Sequence, residues 1–388
     1  MRIAIFQTGP LAPGGTEFVV HHIANQLVEL GNDVVVFVGK PLAGPRPKAI
    51  YQMMPHLYRV HQFTCPIMKG LSRPWASWHL WKIVRSSQCE IVHAHTLHSS
   101  GHIAVRARPL LKIPVLVTGH GEDIQVDREL GYGYRLQPRH DREVRFALAK
   151  ADGATAISRS MAEDMLACGA HRDRLWVVPN GIQPNALKQA EPFAWERPYI
   201  FAMGRLVPKK GFEVLLKAFA EVRRSEEGKV DLLIAGDGPE RERLQALAGQ
   251  LGLDGSLHFV GYLDELQKAR ALAGARFFIC PSLREPLGIV NLEAMAAGSA
   301  VIGADVDGIP DLIEPGRNGL LFPRGDAAAL ASHILTLLRN PELAQGLGRA
   351  GRVMAADYTW AKIAGKYLQI YLQLCEGEKT GAEARGAG

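Results

Sequence analysis

The chain has 388 residues, of which 47% are hydrophobic and 22% charged, and its formal net charge is +6. This composition is that of a globular protein and excludes disorder, collagen and coiled coil as descriptions of the whole chain. The length favours two domains, and no run of residues approaches the roughly 18–20 apolar residues that a membrane span needs. The first residues have the pattern of a strand and not that of a signal peptide, and the five cysteines lie far apart and form no CxxC motif. We therefore predict a cytoplasmic protein with reduced thiols.

The charge is unevenly distributed along the chain. Residues 1–185 carry 21 Lys and Arg against 14 Asp and Glu, whereas residues 186–388 carry 24 against 25. The whole basic excess therefore belongs to the first half, where it favours an anionic partner.

The first half predicts a repeated alternation of strands and helices. An apolar strand over Arg2–Gln7 is followed by a glycine-rich turn and by a helix over Glu17–Leu30, and Asp33–Val38 is an unbroken β-branched run. Continuous apolar strands are typical of parallel sheets that are covered on both faces. We predict further strands over residues 90–93, 114–118, 153–157 and 175–178.

The same pattern restarts after Gly181–Pro198. The alternation predicts an α/β protein with two doubly wound parallel-sheet, Rossmann-like domains that face each other across a cleft. We place an N-terminal domain at 1–182 and a C-terminal domain at 183–359, with a last helix over about 360–375 that packs back on the first domain and a disordered tail at 376–388. The strands of the C-terminal domain are expected over residues 199–203, 230–234, 257–260, 277–280, 300–303 and 319–322.

Three glycine-rich or charged segments lie at predicted strand ends, where such sheets bind ligands. Pro13-Gly14-Gly15 precedes a helix, so its backbone is able to approach an anion, although a tight turn without a ligand fits equally well. It does not match GxGxxG, which disfavours a nicotinamide dinucleotide. The segment from Gly204 to Gly211 contains Arg205 and Lys210, two cations beside a helix N-terminus that form a candidate pyrophosphate site, with a solvated basic loop as the alternative.

The third segment contains two carboxylates eight residues apart. Glu285 lies in a loop and Glu293 about two helical turns later, and the free N–H groups of Gly288, Ile289 and Val290 lie between them. Carboxylates at this spacing suit the vicinal hydroxyl groups of two sugar rings. A capping residue and a surface residue would explain either Glu on its own.

Together these motifs resemble the retaining nucleotide-sugar glycosyltransferases of family 4, which have the GT-B fold. The resemblance runs from MRIAIF to about Trp360 and implies a transferase that moves a hexose from a nucleoside diphosphate sugar, with UDP favoured as the commonest in the family, to a hydroxyl group. An epimerase or phosphorylase of the same fold, or a non-catalytic sugar-nucleotide-binding subunit, is the alternative. The motifs are PGGTE, TAISRSMAEDM, VVPNGI, GRLVPKKGFEVLLKAF, LLIAGDGPERERL, FVGYLD and SLREPLGIVNLEAMAAGSAVI.

The resemblance also implies roles for individual residues. Arg205 and Lys210 would bind the donor diphosphate, Glu285 the transferred sugar and Glu293 the ribose. His120 matches the active-site histidine that contacts the transferred sugar, with an acceptor-side or structural role as the alternative, and Asp123 would orient His120 or touch the acceptor. The remaining donor-binding residues would be Gly14, Gly15, Gly236, Tyr262, Leu263, Gly288, Ile289 and Val290.

No cofactor and no metal ion are expected. The resemblance implies that Arg205, Lys210 and a helix N-terminus neutralise the negative charge of the leaving diphosphate in place of a metal ion. Asp305-Val306-Asp307 has the spacing of an Asp-x-Asp motif but lies in the turn GADVDGIP, where we expect no metal. The resemblance further implies that departure and attack share one face of the sugar. The leaving phosphate would then take the proton of the acceptor.

One segment favours a distinctive acceptor. Between Asp33 and Glu90 there is no acidic residue, and three tryptophans at i, i+3 and i+6 lie along one side of a helix that begins near Pro74. Such a face packs on the core, lies in a membrane interface that is rich in anionic lipid, or lines an acceptor groove. We expect a glycan or lipid-linked acceptor, peripheral contact with the membrane and no nucleic acid, since no groove-reading motif is present. The residues are Trp75, Trp78, Trp81, Lys69, Arg73, Lys82 and Arg85.

Overall fold

The computed structural model describes residues 1–9, 14–40, 49–64, 72–184, 187, 190–225 and 229–386. It divides into two compact units, Met1–Gly181 with Trp360–Gly388, and Ile182–Thr359. The division falls one residue before the boundary that the sequence places at 182/183.

The first unit is built on a parallel sheet of seven strands in the described part of the chain, in the order β3-β2-β1-β4-β5-β6-β7. Five of the six residues of the first strand are buried, as an apolar run between two helical layers requires. The strands are β1 Arg2–Gln7, β2 Asp33–Lys40, β3 Arg59–Thr64, β4 Ile91–His95, β5 Val115–Thr118, β6 Gly153–Ala156 and β7 Leu175–Val177. The helices are α1 Gly15–Glu29, α2 Ile50–Met53, α3 Ser72–Ser86, α4 His102–Leu111, α5 Pro138–Lys150 and α6 Arg159–Ala167.

The second unit has a parallel sheet of six strands among the described residues, in the order β10-β9-β8-β11-β12-β13. Its strands are β8 Tyr199–Met203, β9 Asp231–Ala235, β10 Leu257–Gly261, β11 Phe278–Cys280, β12 Val301–Asp305 and β13 Leu320–Pro323. Its helices are α7 Phe212–Val222, α8 Arg241–Gln250, α9 Glu265–Gly274, α10 Ile289–Ala297, α11 Ala327–Arg339 and α12 Pro341–Ala355. These two sheets confirm the predicted fold class of two Rossmann-like domains.

The last helix, α13 Trp360–Gly386, belongs to the first unit. It packs along α1, and its buried residues Trp360, Ile363, Tyr367 and Tyr371 join the core of that unit. The helix continues through residues 376–386, the stretch for which the sequence predicts a disordered tail. The stretch is rich in Glu, Lys, Ala and Arg, which favour a helix, and extending an existing helix needs no new nucleus.

One strand is absent from the sequence prediction. β3 pairs only with β2 in the described sheet, and Val60 and Phe63 are its only apolar residues. An edge strand exposes more of its surface, so it needs no continuous apolar run. Among the described helices, none combines the length and the apolar character that crossing a bilayer requires.

Candidate active site

The order of the strands in the second unit fixes where its ligand site must lie. The chain runs outward from β8 through β9 to β10, and then returns to place β11, β12 and β13 on the other side of β8. In such sheets the loops after the two central strands separate and leave a crevice at the carboxyl ends. The crevice lies between the loop after β8, Gly204–Gly211, and the loop after β11, Pro281–Gly288.

A lysine and a glutamate from these two loops meet in the crevice. The Lys210 Nζ lies 2.5 Å from the Glu285 Oε2, and their side chains are 19% and 10% exposed. The Ser282 hydroxyl donates a hydrogen bond of 3.2 Å to the same oxygen. Since no described residue pairs with Oε1 of Glu285, that oxygen remains able to accept from a hydroxyl group.

The environment keeps Lys210 charged. Burial disfavours the ammonium form, but the charge of Glu285, its hydrogen bond to Lys210 and the nearby Cys280 together outweigh burial, so the pKa of Lys210 is raised above its ordinary value. Arg205 lies on the same loop, is exposed and has no ion-pair partner among the described residues. The loop therefore offers one exposed and one half-buried cation to an anionic ligand.

Backbone contacts hold the loop after β11 in place. The Asp307 carboxylate accepts from the backbone N–H of Glu285 at 2.8 Å and from Nε of Arg284 at 3.0 Å. Gly288, the residue before α10, has φ +88°, which an L side chain rarely adopts, and it sets the entry into the helix. The N–H groups of Gly288, Ile289 and Val290 therefore form a helix N-terminus with no intrahelical partners.

In the Asp305-Val306-Asp307 turn, the Asp307 carboxylate is bound to Arg284 and to the backbone N–H of Glu285. Among the described residues there is no group of three or more His, Cys, Asp or Glu side chains that is arranged to hold a metal ion.

Glu293 lies in α10 and has a partner that the sequence reading missed. The Lys268 ammonium donates to Oε1 of Glu293 at 2.6 Å and to Oε1 of Glu265 at 2.9 Å. Burial raises the pKa of Glu293, and Lys268 opposes that rise. Lys268 stands four residues after the FVGYLD motif, within α9, and only the packing of α9 against α10 brings it to Glu293.

The loops after β9 and β10 complete the edge of the site. Gly236 has φ +121°, and a Cβ there would lie 2.0 Å from the carbonyl oxygen of Gly204. Only glycine therefore allows the loop after β9 to touch the loop after β8. Tyr262 follows β10 and is 80% exposed, and Leu263 beside it is half-buried. An exposed aromatic ring at this edge is available to a nucleobase.

Asn291 is a second residue that the sequence reading passed over. Its side chain is fully buried in the first turn of α10, and neither amide atom has a hydrogen-bond partner in the described part of the chain. A buried polar group without a partner costs free energy and often marks a ligand site. In the sequence, the position of Asn291 within the GIVNLEAM motif is the one feature that indicates a place in the site.

The first unit contains the remaining predicted residues. Gly14 precedes α1 and Gly15 begins it, and a side chain at Gly15 would meet no described atom within 4 Å. His120 follows β5 and is half-buried. Its backbone N–H donates to Asp123 at 2.9 Å, and the other Asp123 oxygen accepts from the Leu97 N–H at 2.9 Å. Asp123 is 3% exposed, which favours its orienting role over contact with an acceptor.

The tryptophan helix α3 does not bury its whole aromatic face. Its core side is formed by Ala76, Leu80, Ile83 and Val84, whereas Trp78 is 48% exposed. Trp75 and Trp81 are half-buried. Lys82 lies over the ring of Trp78 at 5.6 Å, and Arg85 over that of Trp81 at 5.8 Å. Lys69 lies outside the described residues, as does the side chain of Arg73.

Comparison with known proteins gives a consistent result for both units. Residues 13–186 match the family model "Glycosyltransferase Family 4", and residues 185–354 match "Glycosyl transferases group 1". The alpha-maltose-1-phosphate synthase of Mycolicibacterium smegmatis is 32% identical over 72% of this chain and 78% of its own length.

Two solved structures share the fold. The sucrose-phosphate synthase from Thermosynechococcus elongatus has a TM-score of 0.81 at 23% identity, over 97% of this chain and 99% of that one. Anabaena HepE, in complex with UDP and glucose, has a TM-score of 0.77 at 21% identity, over 95% and 98% of the two chains. At these identities the likeness concerns the fold alone.

Proposed function

We propose that this chain, which belongs to glycosyltransferase family 4, transfers a hexose from UDP-sugar to a hydroxyl group of a glycan or lipid-linked acceptor, with retention of configuration and without a metal ion. That it is a nucleotide-sugar-dependent glycosyltransferase follows from the family. The observation that carries the finer proposal is the direct pair of Lys210 with Glu285 at the crevice of the second sheet.

The diphosphate would bind to the cationic side of this pair. Arg205 and Lys210 supply two positive charges, and the N-terminus of α10 supplies N–H groups, so negative charge that develops on the leaving phosphate is stabilised as the sugar bond breaks. These groups do the work that a divalent cation does in other transferases, which supports a metal-independent reaction.

The carboxylates would hold the sugars. Oε1 of Glu285 is free to accept from a hydroxyl group of the transferred hexose, and Glu293 accepts from the ribose while Lys268 occupies its other oxygen. Glu285 is a poor nucleophile, since Lys210 and Ser282 both bind its Oε2. This supports retention through a departure and an attack on the same face, in which the leaving phosphate takes the proton of the acceptor.

UDP is favoured because a neighbour of the same fold, Anabaena HepE, was solved with UDP and glucose and with UDP-glucose. For the acceptor, the proposal rests on α3. Its exposed Trp78 and the adjacent Lys82 and Arg85 form an aromatic, basic face that suits an anionic lipid surface. We therefore propose a peripheral enzyme whose acceptor is borne by a membrane.

Thermal unfolding against a panel of nucleotide sugars tests the donor, because a ligand that binds only the folded state raises Tm. We expect the largest shift with one UDP-sugar. Release of UDP that requires an acceptor would then support transfer. Release of UDP that requires inorganic phosphate would support a phosphorylase. Conversion of the sugar without net release of UDP would support an epimerase, and binding without turnover would support a non-catalytic subunit.

A further inference from the structure

Three imidazole rings form a row at the carboxyl edge of the first sheet. His93 and His95 lie two residues apart on β4, so they share one face of the strand. Both are fully buried, and their ring centroids are 4.1 Å apart. The ring of His120 lies 5.1 Å from that of His95, with the planes inclined by 20°. The row thus runs from the core outward to the half-buried His120.

Hydrogen bonds fix the inner end of the row. Nδ1 of His93 lies 2.7 Å from the hydroxyl of Tyr371 on α13, and its Nε2 lies 2.6 Å from the hydroxyl of Thr118 on β5. Both nitrogens of His93 are therefore occupied. Because the ring of His95 packs on this fixed ring, its own plane is fixed as well.

The outer two rings are joined by one hydrogen bond, in which Nδ1 of His95 lies 2.9 Å from Nε2 of His120. Burial lowers the pKa of His120 to about 4, although the Asp123 carboxylate acts in the opposite direction. Burial, together with the neighbouring His93 and His120, lowers the pKa of His95 well below its ordinary value. Both rings are thus neutral near neutral pH, and one of the two nitrogens carries the shared proton.

The other nitrogen of His95 decides which ring donates. Its Nε2 is buried and has no partner among the described residues. If Nε2 carried the proton, a buried N–H would have no acceptor, which is rarer in proteins than an acceptor without a donor. The proton of His95 therefore lies on Nδ1 and is donated to Nε2 of His120, so that the proton of His120 lies on its Nδ1.

We propose that His95 is a positioning residue that holds His120 as the Nδ1–H tautomer, so that His120 is a hydrogen-bond donor to a substrate oxygen and not a base. This inference rests on the proposed function, in which the leaving phosphate accepts the proton and no enzymic base is needed. Asp123 completes the arrangement, because it binds the backbone N–H of His120 and fixes the loop.

The tautomer is measurable on the ligand-free full chain, independently of any activity. Nitrogen chemical shifts of isotope-labelled histidine distinguish the two tautomers, and the signal of His120 is assigned with His120→Gln. We expect the Nδ1–H form in the wild type and in His95→Asn, since an amide N–H replaces the donor. An Nε2–H form in the wild type would overturn the proposal, whatever the substrate proves to be.

Kinetics with the donor provide a second readout. His95→Asp places an acceptor opposite Nε2 and reverses the tautomer, so kcat should fall by about 10²-fold, as for loss of one preorganised donor. As pH decreases, His95→Asp should regain activity, because a doubly protonated His120 again carries a proton on Nδ1. His95→Asn should stay within a few-fold of the wild type.

His21→Asn is the matched control. His21 is a buried histidine of α1 in the same unit, and its Nδ1 lies 2.9 Å from the hydroxyl of Tyr58. It should change stability without changing the tautomer of His120 or the pH profile. Equal losses in His95→Asn and His95→Asp, with no recovery at low pH, would show that His95 has only a structural role. If the tautomer is as proposed but no nucleotide sugar is turned over, the proposed function fails and the tautomer assignment stands.

Discussion

Replacing Lys268 with Met tests the electrostatics of the proposed donor site. The Lys268 Nζ lies 2.6 Å from Oε1 of Glu293, and the two side chains are only 10% and 16% exposed. Met fills a similar volume but leaves the carboxylate without its cation. Breaking a buried pair in this way lowers the free energy of unfolding by about 3–5 kcal/mol. Because Glu293 is partly exposed, we expect a loss of about 3 kcal/mol.

The loss should depend on pH in a defined direction. Burial raises the pKa of Glu293 in the folded protein, and Lys268 opposes that rise. Without Lys268 the folded pKa rises further, whereas the unfolded pKa is unchanged. The folded state then binds a proton more readily than the unfolded state, so the variant loses stability as pH rises through the folded pKa and regains it at lower pH.

Thermal unfolding followed by circular dichroism measures this loss. For a unit of this size about 1 kcal/mol shifts Tm by roughly 2–4 °C, so about 3 kcal/mol corresponds to roughly 6–12 °C. We expect this decrease for the transition of the second unit at about pH 8, and a smaller decrease at about pH 5.

Two further variants make the test decisive. Lys268→Met combined with Glu293→Gln should recover most of the stability, because an amide needs no cation. Glu265→Gln removes the other partner of Lys268. Because the Glu265 side chain is 80% exposed, this change should alter Tm little. The reasoning is refuted if the double variant is as unstable as Lys268→Met, or if Lys268→Met loses no more than Glu265→Gln.

Three other predictions concern the site, the loops and the surface. Lys210→Met and Glu285→Gln should each lower kcat by about 10²–10³-fold in a donor-turnover assay, because each removes a preorganised group at the reacting bond. Gly236→Ala should destabilise the second unit in urea unfolding by about 2 kcal/mol or more, since φ is +121° and a Cβ would lie 2.0 Å from a carbonyl oxygen. Charge reversal of Lys82 and Arg85 to Glu should reduce sedimentation with anionic vesicles while leaving the turnover of a water-soluble acceptor unchanged.

Each of these has a comparison that would contradict it. A lysine or glutamate variant with full activity would remove that residue from the site. A Gly236→Ala protein with unchanged unfolding would mean that the loops after β8 and β9 do not need to touch. Reversal of Lys150 and Arg174, exposed on other elements of the first unit, changes the net charge equally. If that variant loses vesicle binding as fully as the α3 variant, the membrane face is not α3.

The central strands of both sheets were predictable because they are buried on both sides. Burial on two faces requires unbroken apolar runs, and the run Asp33–Val38 predicts the strand that the structure extends to Lys40. β3 lacked that signal, since an edge strand tolerates polar residues. For residues 376–386, low hydrophobicity predicts disorder, whereas the same residues also favour extension of a helix that is already formed.

Within the site, the sequence identified the residue types but not their partners. Arg205, Lys210, Glu285 and Glu293 belong to contiguous motifs, so local order reveals them. The pairing of Lys210 with Glu285 spans 75 positions and arises only because β8 and β11 are neighbours in the sheet.

By itself, then, the sequence determined the two parallel-sheet domains, the family and the charged residues of the donor motifs, because each of these depends on local order and composition. Tertiary structure alone decided that Lys268 pairs with Glu293, that Asn291 is a buried amide without a partner among the described residues, and that His95 bonds to His120. Those properties depend on which side chains meet across separate elements and on how far they are removed from water, and neither is encoded in the spacing of one segment.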